Sequence, residues 1–143
     1  MYTGLQHLHS YLAYLLLAVL AFSLIYAVVM FVRKKPFTEK VRKVALVGFI
    51  ATHLQLLIGL ILYVISPVGL SNFSSEAMGD TLSRLYILEH PLTMIIGIIL
   101  ISIGYIKAKK PGDDVRRYRN IILFYTLGLV VILLRIPWQV WPS

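Results

Sequence analysis

Apolar residues fill four long stretches of the chain, separated by short polar segments. No Lys, Arg, Asp or Glu occurs between Met1 and Val32, and a helix that crosses ~30 Å of hydrocarbon needs roughly 20 apolar residues. This predicts a first helix over about Leu8–Val32. RKKPFTEKVRK follows, with Pro36 as a helix breaker. The apolar run from Val44 to Ile65 then predicts a second helix over about Lys43–Ser66. SPVGLSNFSSEAMGDTLS, rich in Ser, Gly and Pro, reads as a loop with a short interfacial turn. A third helix is predicted over about Ser83–Lys107 and, after KAKKPGDDVRRYRN, a fourth over about Asn120–Ile136, ended by Pro137. Connections this short make successive helices antiparallel neighbours. The expected fold is therefore all-α, an integral membrane four-helix bundle of up-down-up-down topology, with residues 1–143 forming one transmembrane domain.

Composition strengthens this reading, since 59% of the 143 residues are hydrophobic and only 14% charged, too apolar for an ordinary soluble domain. The formal charge of +8 would suggest nucleic acid in a soluble protein, but its distribution points elsewhere. Of fourteen basic residues, six lie from Arg33 to Lys43 and six from Lys107 to Arg119, leaving only Arg84 and Arg135 near the other side. The positive-inside rule makes both basic loops cytoplasmic and places both termini outside, with the lipid bilayer and its anionic headgroups as partners rather than nucleic acid. Trp138, Trp141, Tyr2 and Tyr11 are expected to form the outer aromatic belt. MYTGLQHLHSYLAYLLLAVL has no basic leader and its apolar run reaches Val32, too long for a signal-peptide core, so it is expected to remain as the first span. The lack of cysteine excludes thiolate metal sites, iron–sulfur clusters, covalent c-type haem attachment and disulfides.

The four histidines are the candidate chemistry. His7, His9, His53 and His90 all lie within or at the outer mouth of predicted spans, where ionisable groups are expensive and mark functional sites by default. The competing reading is a neutral imidazole bonding across helices or, for His7 and His9, simple residence at the interface. On the third helix His90, Thr93, Gly97, Ile101 and Gly104 share one face. Gly97 and Gly104 would let a flat macrocycle lie against the backbone while His90 supplies an axial nitrogen to haem iron. Alternatively, the same glycines let a neighbouring helix approach closely. Pro91 is expected to kink the helix beside this site. Glu89 is expected to be protonated, paired with Arg or bonded to an imidazole, and Arg84 or Arg135 to neutralise it or bind a haem propionate.

On the second helix Gly48, Thr52, Gln55 and Gly59 form a small, polar packing seam, with His53 pointing elsewhere and needing its own partner. At ~1.5 Å per residue His53 lies ~20 Å from the outer helix end, His90 ~9 Å, and His9 at the surface. A 53/90 pair of axial ligands then requires tilt, a 9/90 pair requires the first helix to sit lower, and two haems with separate pairs are a third arrangement. No Walker loop, His-Glu-x-x-His zinc sequence or G-x-S-x-G elbow occurs, so no catalytic residues are expected.

YTGLQHLHSYL, ATHLQLLIGLILYVISP, LYILEHPLTMIIGIILISIGY and LRIPW, spanning nearly the whole chain, resemble a family of small bacterial four-span membrane proteins described as cytochrome b-like. The order of His-x-His, a single His in the second helix and Glu-His-Pro in the third carries the resemblance. It implies haem b, electron transfer, and His7, His9, His53 and His90 as candidate ligands in a bacterial inner membrane. The haem A synthase family is a more distant architectural relative. This chain lacks that family's Glu-x-x-x-His-Arg pattern, so an oxygenase activity is not carried over.

The leading expectation is a b-type cytochrome in which His90 and either His53 or His9 ligate haem, passing electrons between quinol and an outer-side redox partner. A non-haem site of zinc, copper or iron on His7, His9, His90 and Glu89 is the second expectation. The third is a structural or assembly subunit; a homo-oligomer or a place in a larger complex is compatible with the sequence, whose helix surfaces rich in Leu and Ile do not tell lipid contact from protein contact.

Overall fold

A computed structural model describes residues 1–142, and among them the chain is all-helical, with no strand. Four helices are long and apolar enough to cross a membrane, Tyr2–Val32, Glu39–Ile65, Thr81–Lys109 and Asp114–Leu134, which is consistent with a multi-pass membrane protein. They are called here the first to fourth helices.

Each boundary follows from local chemistry. The first helix begins at Tyr2 rather than Leu8, because neither proline nor charge interrupts the stretch before it. It ends where Lys34 adopts a left-handed φ of 57° and the N–H groups of Lys34 and Lys35 turn back to the carbonyls of Phe31 and Met30. This is the hydrogen-bond pattern of a Schellman cap. The second helix starts at Glu39, capped by the Thr38 hydroxyl, which accepts from the Val41 N–H. Glu39 is clasped by the Arg42 guanidinium at 2.9 Å. The third starts at Thr81, where the Asp80 carboxylate accepts from the Ser83 N–H at 3.0 Å. The fourth starts at Asp114, with Asp113 as cap, so the basic stretch expected as loop before Asn120 is already helical. Between the second and third helices lie a 3-10 turn, Leu70–Asn72, and a short helix, Ser75–Gly79.

The first helix packs most extensively on the second and the third on the fourth, with lesser first–fourth and second–third contacts. The small seam of the second helix meets the first: a Cβ on Gly48 would lie 2.9 Å from the Ser23 hydroxyl, and Thr52 is fully buried. Between the third and fourth helices the glycines bring backbones together, as small residues do at membrane-helix contacts. Leu20, Ala27, Phe37, Val41, Ala45, Ile101, Tyr105, Tyr118, Ile121 and Tyr125 belong to one buried core. Its tyrosines hold the helices through backbone acceptors: Tyr125 donates to the Ala45 carbonyl at 2.6 Å and Tyr118 to that of Pro36 at 3.0 Å. Outward faces carry Phe22, Ile25, Leu57, Ile99 and Leu134, all exposed, an apolar coat that suits lipid tails better than water.

Contacts gather the polar chemistry at two ends. At the basic end Arg42 donates to the Tyr105 hydroxyl, Arg117 donates to the Ala108 carbonyl, and the Arg117 guanidinium lies 4.2 Å from the Phe37 ring centre. At the histidine end the Trp141 indole donates to the Ser10 hydroxyl at 2.8 Å and packs on Tyr14.

Candidate functional site

The histidine end is built around an irregularity in the third helix. After one α turn, Leu85–Glu89 widens into a π turn, and His90 donates its backbone N–H to the Leu85 carbonyl. Regular α geometry resumes from His90 to Lys109. Pro91, lacking an N–H, leaves the Ile87 carbonyl without its usual intrahelical donor. The Tyr63 hydroxyl of the second helix supplies the missing bond at 2.8 Å. A π turn re-aims the side chains that follow it and recurs at functional sites. Here it delivers His90 into the space between helices.

His90 and His9 face each other from the third and first helices, with ring centres 6.2 Å apart and planes at 87°. The early start of the first helix makes this pairing possible, because it brings His9 well inside a helix expected to begin at Leu8. His90 Nδ1 lies 2.8 Å from the Arg135 carbonyl at the end of the fourth helix. A carbonyl only accepts, so the proton sits on Nδ1, and in the neutral ring Nε2 keeps its lone pair. His9 rests against Gly59 so closely that a Cβ there would stand 3.0 Å from the His9 Cε1. The His9 backbone carbonyl accepts from the Gln55 amide at 2.7 Å. Among the described residues, the buried His9 Nδ1 and the Gln55 Oε1 have no hydrogen-bond partner. Such orphaned polar atoms are rare and call for an explanation.

Glu89, just before His90, accepts from Arg84 at 2.9 Å and pairs with Arg135 at 3.6 Å. Arg84 also donates to the Met78 carbonyl. Glu89 is thus held by two arginines rather than by imidazole, and the Asp80 carboxylate also lies within Coulombic reach of Arg84.

Not every candidate joins this group. His53 has both ring nitrogens engaged, Nδ1 with the Phe49 carbonyl at 2.7 Å and Nε2 with the Ser102 hydroxyl at 3.2 Å, and its ring packs on Phe49. Its partner is thus a serine of the third helix, and it is not brought to His90. His7 is exposed and packs on Tyr11 one turn later, with ring centres 6.3 Å apart. Gly97 and Gly104 do not open onto a groove for a macrocycle, because the fourth helix fills that face. A Cβ on Gly97 would lie 2.8 Å from Ile132, and one on Gly104 would lie 2.6 Å from Phe124. The fourth helix packs there because its own Gly128 removes the side chain that would have kept it away. Among the described residues, no three or more His, Asp or Glu side chains cluster to hold a metal ion, so His7, His9, His90 and Glu89 do not form one ligand set.

Sequence reasoning passed over Tyr63 and Ser102, and placed Gln55 and Gly59 in a packing seam without linking them to His9. The signal for Tyr63 was Pro91, whose missing N–H orphans the Ile87 carbonyl and implies a donor on a neighbouring helix. Nothing along the chain marks Ser102. No known protein family, curated protein or solved structure matches this chain.

Proposed function

We propose that the chain is a membrane b-type cytochrome whose haem is held by His9 and His90, moving electrons between quinol and a partner on the histidine side. The single observation that carries this reading is the facing of His9 and His90 at 6.2 Å between ring centres. Two imidazoles brought this close from different helices would be the residues to hold one haem iron. The chemistry of the donors supports it: the His90 Nδ1 is engaged by the Arg135 carbonyl, and the His9 Nδ1, buried beside Gly59, has no hydrogen-bond partner. A haem bound there would supply a one-electron carrier. The protein's own part is to orient and tune the ligands. The Arg135 carbonyl fixes the His90 ring and strengthens it as a ligand, as outer partners of metal-bound histidines do. Gly59 makes room for the His9 ring, and the Arg84 and Arg135 guanidiniums around Glu89 would be the donors for an anionic group such as a propionate.

The same reading places the chain in a bacterial inner membrane as an up-down-up-down bundle, with basic loops cytoplasmic and termini outside. It is supported by Ser23 pairing with Val44 while His9 pairs with Gln55, and by His90 meeting Arg135 while Gly104 meets Phe124. Partners in each set run in opposite directions along their helices. Twelve of fourteen basic residues lie in the two segments that meet at one end.

The test is a reduced-minus-oxidised absorbance spectrum of protein purified in native lipid, with and without haem supplementation. A folded preparation that stays colourless after supplementation refutes the proposal. A second reading, a structural or assembly subunit, is favoured by the cross-helix bonds of His90 to the Arg135 carbonyl and of His53 to Ser102. Under it His90→Ala lowers bundle stability and removes no cofactor, and elemental analysis finds no zinc, copper or iron.

A further inference from the structure

On the outer surface of the second helix, at the basic end, Lys40, Lys43, Val44 and Val47 line a shallow groove of about 370 Å³. Their spacing places them on one helical stripe. The stripe is ~10 Å long, starts at the polar margin and ends ~5 Å into the apolar run that begins at Val44, and Val47 is 54% exposed. Neighbouring cations are already committed: Arg42 to Glu39 and Tyr105, Arg117 to the Ala108 carbonyl and the Phe37 ring. Among the described residues the ion pairs are Arg42–Glu39, Arg84–Glu89 and Arg135–Glu89, so neither the Lys40 nor the Lys43 ammonium is ion-paired, and Glu39, already held by Arg42, acts on Lys43 only from a distance. Two unpaired ammoniums one turn apart above a valine-lined groove present the complement of an anionic lipid, charge above and hydrocarbon below.

We propose that this groove binds one anionic phospholipid, its phosphate diester between Lys40 and Lys43 and the upper part of an acyl chain along Val44 and Val47. A free phosphate would use only the upper half of the groove, whereas a lipid already confined to the bilayer reaches all of it. The proposal rests on the reading of the second helix as a membrane span and is independent of haem.

The experiment is native mass spectrometry of the full chain in mild detergent, titrated with phosphatidylglycerol and with phosphatidylcholine of matched chains. A juxtamembrane lysine is worth about fivefold in binding anionic lipid, so K40Q/K43Q is expected to lose the phosphatidylglycerol preference by about 30-fold. K109Q/K110Q removes the same charge from the other basic loop and is expected to stay within about twofold of the parent. K40R/K43R is expected to keep the preference. Equal losses in K40Q/K43Q and K109Q/K110Q would overturn the proposal in favour of a diffuse basic surface. Displacement of the lipid by millimolar inorganic phosphate would overturn it in favour of a free-anion site. Alkaline carbonate extraction separates the two claims: release of the chain from membranes defeats the spanning reading and this proposal together. A membrane-retained chain without lipid preference defeats this proposal alone.

Discussion

Replacing Gly128 by alanine tests how the third and fourth helices meet, and hence why the Gly97 face holds a helix rather than a ligand. A Cβ on Gly128 would sit 2.6 Å from Ile101 Cγ1 and 2.8 Å from the Gly97 carbonyl oxygen. The isoleucine end can rotate away, but the carbonyl belongs to a helix backbone and cannot. The approach is reciprocal, since a Cβ on Gly97 would lie 3.1 Å from the Gly128 carbonyl. The helices must therefore separate, and gaps of even 0.5–1 Å forfeit a quarter to a half of each dispersion contact along the seam. Overpacking of this kind costs about 1–3 kcal/mol. Removing a helical glycine returns ~1 kcal/mol of intrinsic helix preference, measured in water. The net expectation is a loss of about 0–2 kcal/mol for Gly128→Ala, and of about 1–3 kcal/mol relative to a helical glycine-to-alanine change that meets no atoms, read from unfolding in mixed micelles followed by circular dichroism. Gly4→Ala is the control, because no atom lies within 4 Å of a Cβ there, and it should be neutral or mildly stabilising. The double change Gly97→Ala with Gly128→Ala should cost less than the sum, since separation caused by the first admits the second. A Gly128→Ala protein as stable as the Gly4→Ala control would refute the close backbone contact.

The remaining expectations concern the histidine end and one cap. Under the haem proposal, His9→Ala and His90→Ala should each abolish the difference spectrum, while His53→Ala and His7→Ala retain it; loss in His53→Ala alone would move the site. Tyr63→Phe leaves the Ile87 carbonyl beside Pro91 without its donor, and should lower unfolding free energy by about 1–2 kcal/mol. Glu89→Gln weakens contacts with two partly exposed arginines and should change stability by less than about 1 kcal/mol, checked by the same unfolding assay. Lys34→Gly relieves a left-handed φ of 57° and should raise stability by up to about 1 kcal/mol; a loss would show that the Lys34 side chain contributes more than its backbone strain removes.

Local pattern determined much of this molecule. Uninterrupted apolar runs specify spanning helices because their backbone polar groups can be satisfied within the helix itself, and Pro36, Pro67 and Pro137 mark where such runs stop. Boundaries were less legible: Asp113 and Asp80 start their helices before the apolar stretch begins, because a cap depends on one side-chain bond and not on hydropathy. The grouping of Glu89 with Arg84 or Arg135 could be anticipated from their positions and unlike charges, and the structure engages both arginines.

Which histidines meet was decided only by tertiary structure. Helical periodicity assigns each side chain a direction around its own axis, but says nothing about how far one helix slides along another. That slide brings His9 to His90 and sends His53 to Ser102. The glycines illustrate the same division. Along the chain Gly97 and Gly104 are only missing side chains, equally suited to a macrocycle or a helix. The fourth helix occupies that space because Gly128 lets its backbone come within contact distance, a complementarity between residues far apart in sequence that no single stretch contains.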